Sequence, residues 1–253
     1  CVFMLTGIIS SDSKIFENVI REFGYEVLES VESITIYKSN KSNKLLISVE
    51  EFDDHVIEVL HRMFRKFSVQ FLISIEEATA LSKDIHVGSV LLSQEMIFLD
   101  GPLALWHPDD IFMTKKFDNQ PIFHLFENIA QDNRAFSHVS LLSTSKILTE
   151  PAMKRWVYEV FNVGASEFLG YFIHCLCTKL DIDYVLVRGV STEANTRHSK
   201  FYTHLQRHGI SRFNSAFVNP LRFMTMIKFS RRRTKMRKNL SKTLRRLLFV
   251  EPI

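Results

Sequence analysis

Apolar positions along this chain switch repeatedly between two periods. Residues 2–9 and "VQFLISI" (69–75) are short continuous apolar runs, and they predict buried strands. "ESITIYKS" (32–39) and "KLLISV" (44–49) predict two more, around the polar turn "NKSNK". "HVGSVLLSQEMIFLDG" (86–101), "SHVSLLSTS" (137–145) and residues 184–190 complete the strand set. Between them the spacing turns helical. "SKIFENVIREFG" puts Ile15, Phe16, Val19, Ile20 and Phe23 on one face, with Gly24 as its stop. "DDHVIEVLHRMFRKF" predicts an amphipathic helix opened by Asp53 or Asp54, and "EPAMKRWVYEVF" one with Pro151 in its first turn. "SEFLGYFIHCLCTKL" (166–180) predicts a buried helix, and "KFYTHLQRHG" a short one ended by Gly209. Pro220 is predicted to open the helix "LRFMTMIKF". Residues 103–135 show no readable pattern, and Glu76-Glu77 read as a solvated turn after their strand.

Strands and helices alternate, so the expected class is α/β, a central mixed sheet covered by helices. The expected organisation is one domain over 1–228, followed by a basic amphipathic tail over 229–253. No run of about 18 apolar residues occurs, which excludes a spanning helix. "CVFMLTGII" lacks a basic start and reads as a first strand, not a signal peptide; the absence of an initiating Met reads as a trimmed chain. Cys175 and Cys177 sit in an apolar helical run and point to core packing. Three cysteines in 253 residues fit a reducing compartment, so an intracellular, cytoplasmic location is expected.

Charge changes the picture at one end. The net +4 conceals ten Lys/Arg and no acid within 228–246; the remainder carries 22 basic against 28 acidic residues, a net −6. Leu240, Leu244, Leu247 and Leu248 share a helical face there. Four readings stay open: a last helix packed on the domain with a wet basic face, an anionic membrane surface, nucleic-acid phosphates, or an acidic patch on the body or another subunit. Arg231, Arg232, Arg233, Lys235, Arg237 and Lys238 are the candidate polyanion-binding residues. Sparse aromatics argue against base stacking.

Several chemistries are excluded. No P-loop, Gly-x-Gly-x-x-Gly or Gly-x-Ser-x-Gly occurs, so NTPase, dinucleotide and hydrolase-triad readings lack support. His204 and His208 stand at i, i+4 but lack a third ligand, so no metal and no cofactor is expected.

Four ordered segments carry a resemblance. "SEFLGYFIHCLCTKLDIDYVLVRGVSTEAN", "HVGSVLLSQEMIFLDG", "FLISIEEATAL" and "LTGIISSDSKIFENVI" resemble, in order and spacing, segments of the purine nucleoside phosphorylase and methylthioadenosine/S-adenosylhomocysteine nucleosidase superfamily. The resemblance implies a three-layer α/β sandwich and cleavage of a purine N-ribosidic bond. It places the family's general acid on Thr192, its water-orienting carboxylate near Lys14, its Met-Glu pair on Phe168-Leu169 and its glycine turn on Glu76-Glu77-Ala78-Thr79. A threonine hydroxyl is far too weak an acid to protonate a purine. Acidic side chains at the glycine turn repel phosphate and fill the space that glycine leaves. Ile147 and Leu148 fall where the family packs on the base, and Phe168 under the ribose.

Two functional expectations follow. One is a non-catalytic homologue used for binding or assembly, with a residual purine-nucleoside pocket touched by Ser191, Thr192, Phe168, Ile147, Leu148 and Glu77, and with Lys14, Thr192 and Leu169 replacing the acids. The other is an active nucleosidase or phosphorylase with relocated acids, Glu193 and Glu167. A homo-oligomer is a candidate in either case.

Overall fold

The computed structural model describes residues 5–101, 106–107, 113–116, 136–197 and 220–249. The expected helix over 200–209, His204, His208, Cys1 and most of 103–135 lie outside the described residues. Ten strands are described: β1 (Thr6–Ser10), β2 (Glu26–Val31), β3 (Ile34–Lys38), β4 (Lys44–Val49), β5 (Phe71–Ala80), β6 (Val90–Phe98), β7 (Met113–Lys116), β8 (Phe136–Ser143), β9 (Ala165–Glu167) and β10 (Asp183–Thr192). The α-helices are α1 (Glu17–Phe23), α2 (Asp54–Phe67), α3 (Pro151–Phe161), α4 (Gly170–Leu180) and α5 (Pro220–Phe249).

All ten strands form one mixed sheet. β1 lies parallel between β4 and β5, and β3 and β2 extend that side antiparallel. On the other side the sheet closes on itself. β5 pairs with both β10 and β9, and the path β10–β6–β8–β9 returns to β5. This small ring of strands removes free edges on that side of the sheet.

Alternation sends neighbouring residues to opposite cores. Ile9, Leu72 and Leu186 join α2 and α4, through Leu60, Phe64, Ile173 and Leu176. Ile8, Ile73, Val185 and Val187 face the other way, toward Val19 of α1 and Met236, Leu240 and Leu244 of α5. Helices therefore cover both faces, and the architecture is the three-layer α/β sandwich. Asp53 caps α2, accepting from the Val56 N–H at 2.7 Å. Pro151 occupies the first turn of α3, and Gly24 ends α1 at φ +63°, where a side chain is disfavoured.

Two expectations need correction. Glu76 and Glu77 are not a turn: β5 runs on through them, because Arg188 and Gly189 of β10 pair with them and β9 pairs just beyond. "SEFL" is not helical: Ser166 and Glu167 belong to β9, and α4 begins only at Gly170. The basic C-terminal segment is one 30-residue helix continuous with the predicted "LRFMTMIKF". Its Phe229, Met236, Leu240, Leu244 and Leu247 are fully or almost fully buried, so it forms part of the outer layer. Gly189 permits this close approach, since a Cβ there would stand 2.6 Å from both Leu240 and Met236.

Candidate functional site

A cavity of ≈ 430 Å³ opens at the carboxyl ends of β1, β4, β5 and β9. That volume suits a small ligand, and strand ends are where open α/β sheets bind them. One wall is apolar: Phe52, Ile147, Leu148, Phe168, Leu169 and Phe172. Phe168 is partly exposed at its edge, whereas Leu148 is buried. The facing wall is acidic, built from Asp12, Glu50, Glu76, Glu77 and Glu167, with Arg233 reaching in from α5.

Each buried acid is held by a specific partner. Asp12 ends the turn after β1, where its N–H donates to Ser10 Oγ at 3.1 Å. Arg237 Nε approaches its Oδ2 at 2.6 Å, and Arg233 Nη2 at 3.6 Å. Glu77 pairs with Arg233 Nε at 2.9 Å and accepts from the Ser191 hydroxyl. Glu76 accepts from the Ser11 backbone N–H and, at 2.6 Å, from the Ser11 hydroxyl. Burial pushes the Glu76 carboxyl up to about 7, against the opposing pull of the Ser11 hydroxyl and the Arg188 charge.

Glu167 is the most constrained. Its carboxylate takes Arg188 Nη2 at 2.9 Å and Nε at 3.1 Å, and it also accepts the Leu169 and Gly170 N–H groups at the start of α4. Arg188 is fully buried, and its Nη1 donates to the Ser74 carbonyl at 2.9 Å. A carboxylate so engaged has little capacity left for a ligand.

The structure distributes the expected residues unevenly. Ile147, Leu148, Phe168, Glu77 and Glu167 line the cavity. Ser191 stands behind Glu77, and Thr192 is fully buried at the end of β10, outside the lining. Glu193 also lies outside it, accepting from the Val87 N–H at 3.3 Å. The relocated pair Glu193 and Glu167 therefore does not converge on one cavity. Lys14 is not at the site either; the turn curls through Ser13–Ile15 and directs Lys14 to the groove between α1 and α5. Asp12 takes the place beside the cavity.

Of the six candidate polyanion-binding residues, Arg233 and Arg237 turn inward to the protein's own carboxylates, because the helix packs across the acidic wall. Arg232 donates to Thr196 Oγ1 at 3.3 Å, while Arg231, Lys235 and Lys238 are exposed. Sequence reasoning missed Asp12 and Glu76 as site residues. The available signal for Glu76 was the absence of any Gly, Pro, Asn or Asp across "FLISIEEATAL", which argues for a continuing strand. Among the described residues, no cluster of His, Cys, Asp and Glu is arranged to hold a metal ion, and no helix is long and apolar enough to cross a membrane.

No protein-family model matches the chain, and no curated protein matches its sequence. Solved structures do. An S-adenosylhomocysteine nucleosidase from Streptococcus pyogenes in complex with 5-methylthiotubericidin superposes at a TM-score of 0.73 and 15% identity, covering 100% of this chain and 99% of that one. Futalosine hydrolase of Helicobacter pylori, as a mutant, gives 0.71 at 15% identity, covering 96% and 98%. A Helicobacter pylori MTAN variant with 5'-methylthioadenosine in its active site gives 0.70 at 16% identity, covering 96% of each chain. This is the nucleoside phosphorylase–nucleosidase fold. Within the nucleosidase fold, the four segments singled out above fall at the strand ends around the cavity or on its supporting strands, except that Thr192 and Lys14 stand off the lining.

Proposed function

We propose that this protein uses the nucleosidase fold to bind a nucleoside-like ligand without cleaving it. The observation that carries the reading is the pairing of the acidic wall. Asp12 and Glu77 are neutralised by Arg237 and Arg233, and Glu167 by Arg188. The strand end where the resemblance puts the general acid holds Thr192. The apolar wall of Ile147, Leu148 and Phe168 offers a flat surface to an aromatic base, and Glu77 and Ser11 offer polar contacts to a sugar. The neighbours' nucleoside-like ligands support this ligand class.

One observation favours a second reading, an N-ribosidic hydrolase. Glu76 borders the cavity with a pKa near neutrality, the poise of a general acid. Phosphorolysis is disfavoured by the same wall, since Glu76 and Glu77 repel phosphate. The deciding experiment titrates the protein calorimetrically with adenine, adenosine and methylthioadenosine, then chromatographs the mixtures for free base. Saturable heat with no released base is expected. Base release at an enzymatic rate that is lost in Glu76→Gln would replace the binding reading by the hydrolytic one.

A further inference from the structure

A second concavity, of ≈ 760 Å³, lies between α1 with its preceding turn and one face of α5. Its chemistry is the inverse of the first. Lys14, Arg237, Lys238, Lys242 and Arg245 line it, with Glu17 the one acid among the lining residues. On α5 the contributing positions Ser230, Thr234, Arg237, Ser241 and Arg245 recur at helical spacing, so a single face supplies one wall.

Two of these cations already have partners: Arg237 holds Asp12, and Arg245 Nη2 holds Glu22 at 2.9 Å. Among the described residues, no carboxylate lies in ion-pair range of Lys14, Lys238 or Lys242. The wall also contains an unanswered polar group. Ser241 is 6% exposed and lines the groove, yet its hydroxyl has no hydrogen-bond partner among the described residues. The Nε of Arg245 is likewise buried without one. Buried polar atoms are rarely left unsatisfied, and each such group costs stability unless a ligand or water answers it.

We propose that this groove binds a compact polyphosphate group, either free in solution or as a lipid headgroup. Three unpaired ammonium groups match a multiply charged anion, and the Ser241 hydroxyl and Arg245 Nε supply directed donors. A nucleic-acid backbone is a poorer match. Arg231 and Lys235 are exposed but not part of the groove lining, whereas Lys14, Arg237, Lys238, Lys242 and Arg245 converge in this concavity.

The test is calorimetric titration of the full chain with sodium tripolyphosphate at fixed ionic strength. The comparison is a Lys14→Ala/Lys238→Ala/Lys242→Ala variant, whose changes fall on exposed side chains and preserve the core. Saturable binding of one anion per chain is expected, weakened at least about tenfold in the triple variant and falling with salt. Ser241→Ala is expected to weaken it about threefold or more, with the thermal midpoint of the free protein unchanged or raised. Vesicles containing a phosphoinositide, set against phosphatidylserine vesicles of equal surface charge, distinguish the source. Preference for the phosphoinositide that the triple variant loses supports a headgroup. Equal binding to both vesicle types with no saturable tripolyphosphate heat overturns the proposal, as does unchanged affinity in the triple variant.

Discussion

Arg188 is the residue on which the candidate site is built. It crosses from β10 beneath β9, grips Glu167 and leaves that carboxylate to cap α4. Removing one partner of a buried ion pair strands the other charge. Arg188→Met is expected to lower stability by about 3–5 kcal/mol in urea denaturation. Glu76 gives a prediction of a different kind. Its folded pKa of about 7 lies above the ordinary 4.5, so the folded state binds its proton more tightly. The stability it contributes is complete below about pH 4.5 and is lost as pH rises through 7, on the order of 3 kcal/mol across that window. Glu76→Gln is expected to flatten the thermal midpoint between about pH 5 and about pH 8, and to exceed the wild type at the upper end. At this scale the sequence was partly readable. Ile147, Leu148, Phe168 and Glu77 were legible as cavity residues because a family pattern fixed their strand ends. Asp12 and Glu76 were not. Which side of a three-residue turn faces a cavity depends on how the turn curls, and a buried acid inside a strand looks like a turn until its pairing partners are known.

Among elements, the long periodic ones were the most legible. α2 and α3 match their expected bounds closely, because Asp53 caps the first, Pro151 opens the second and each has an apolar face. β2 escaped detection because its side chains are largely exposed at the sheet's edge, so no buried face imprints a period on it. β9 is three residues long, below the length at which alternation has meaning, and it exists only because β5 and β8 flank it. The contact between α5 and β10 is sensitive at one position. Gly189→Ala would push its Cβ into Leu240 and Met236, which must both give way. A loss of about 1–3 kcal/mol is expected, with amide exchange in α5 accelerating more than in α2.

For the molecule as a whole, the last helix decides what counts as a domain. The sequence left four readings of the basic segment open, and the burial of its apolar face fits the first of them, a last helix packed on the domain. Met236, Leu240, Leu244 and Leu247 share one core with Ile8, Ile73 and Val185, and Phe229 is buried as well. Deleting residues from 229 onward is expected to abolish cooperative thermal unfolding and to produce strong binding of a hydrophobic dye. A sharp unfolding transition in the truncated chain would contradict that placement.

Arg237 and Asp12 meet across 225 positions of chain. In a growing polypeptide the turn that carries Asp12 emerges well before α5, the last of the described elements. Until α5 docks, Asp12 and Glu77 crowd the nascent cavity without their arginines, and α1 is the only described α-helix over that face of the sheet. Contacts of such long sequence separation form late and leave intermediates open to misassembly. The ribosome therefore delivers the counter-ions and the cover together, and a prematurely terminated chain presents both an uncompensated negative cleft and an apolar surface. Those are the marks by which chaperones and proteases tell an unfinished product from a finished one.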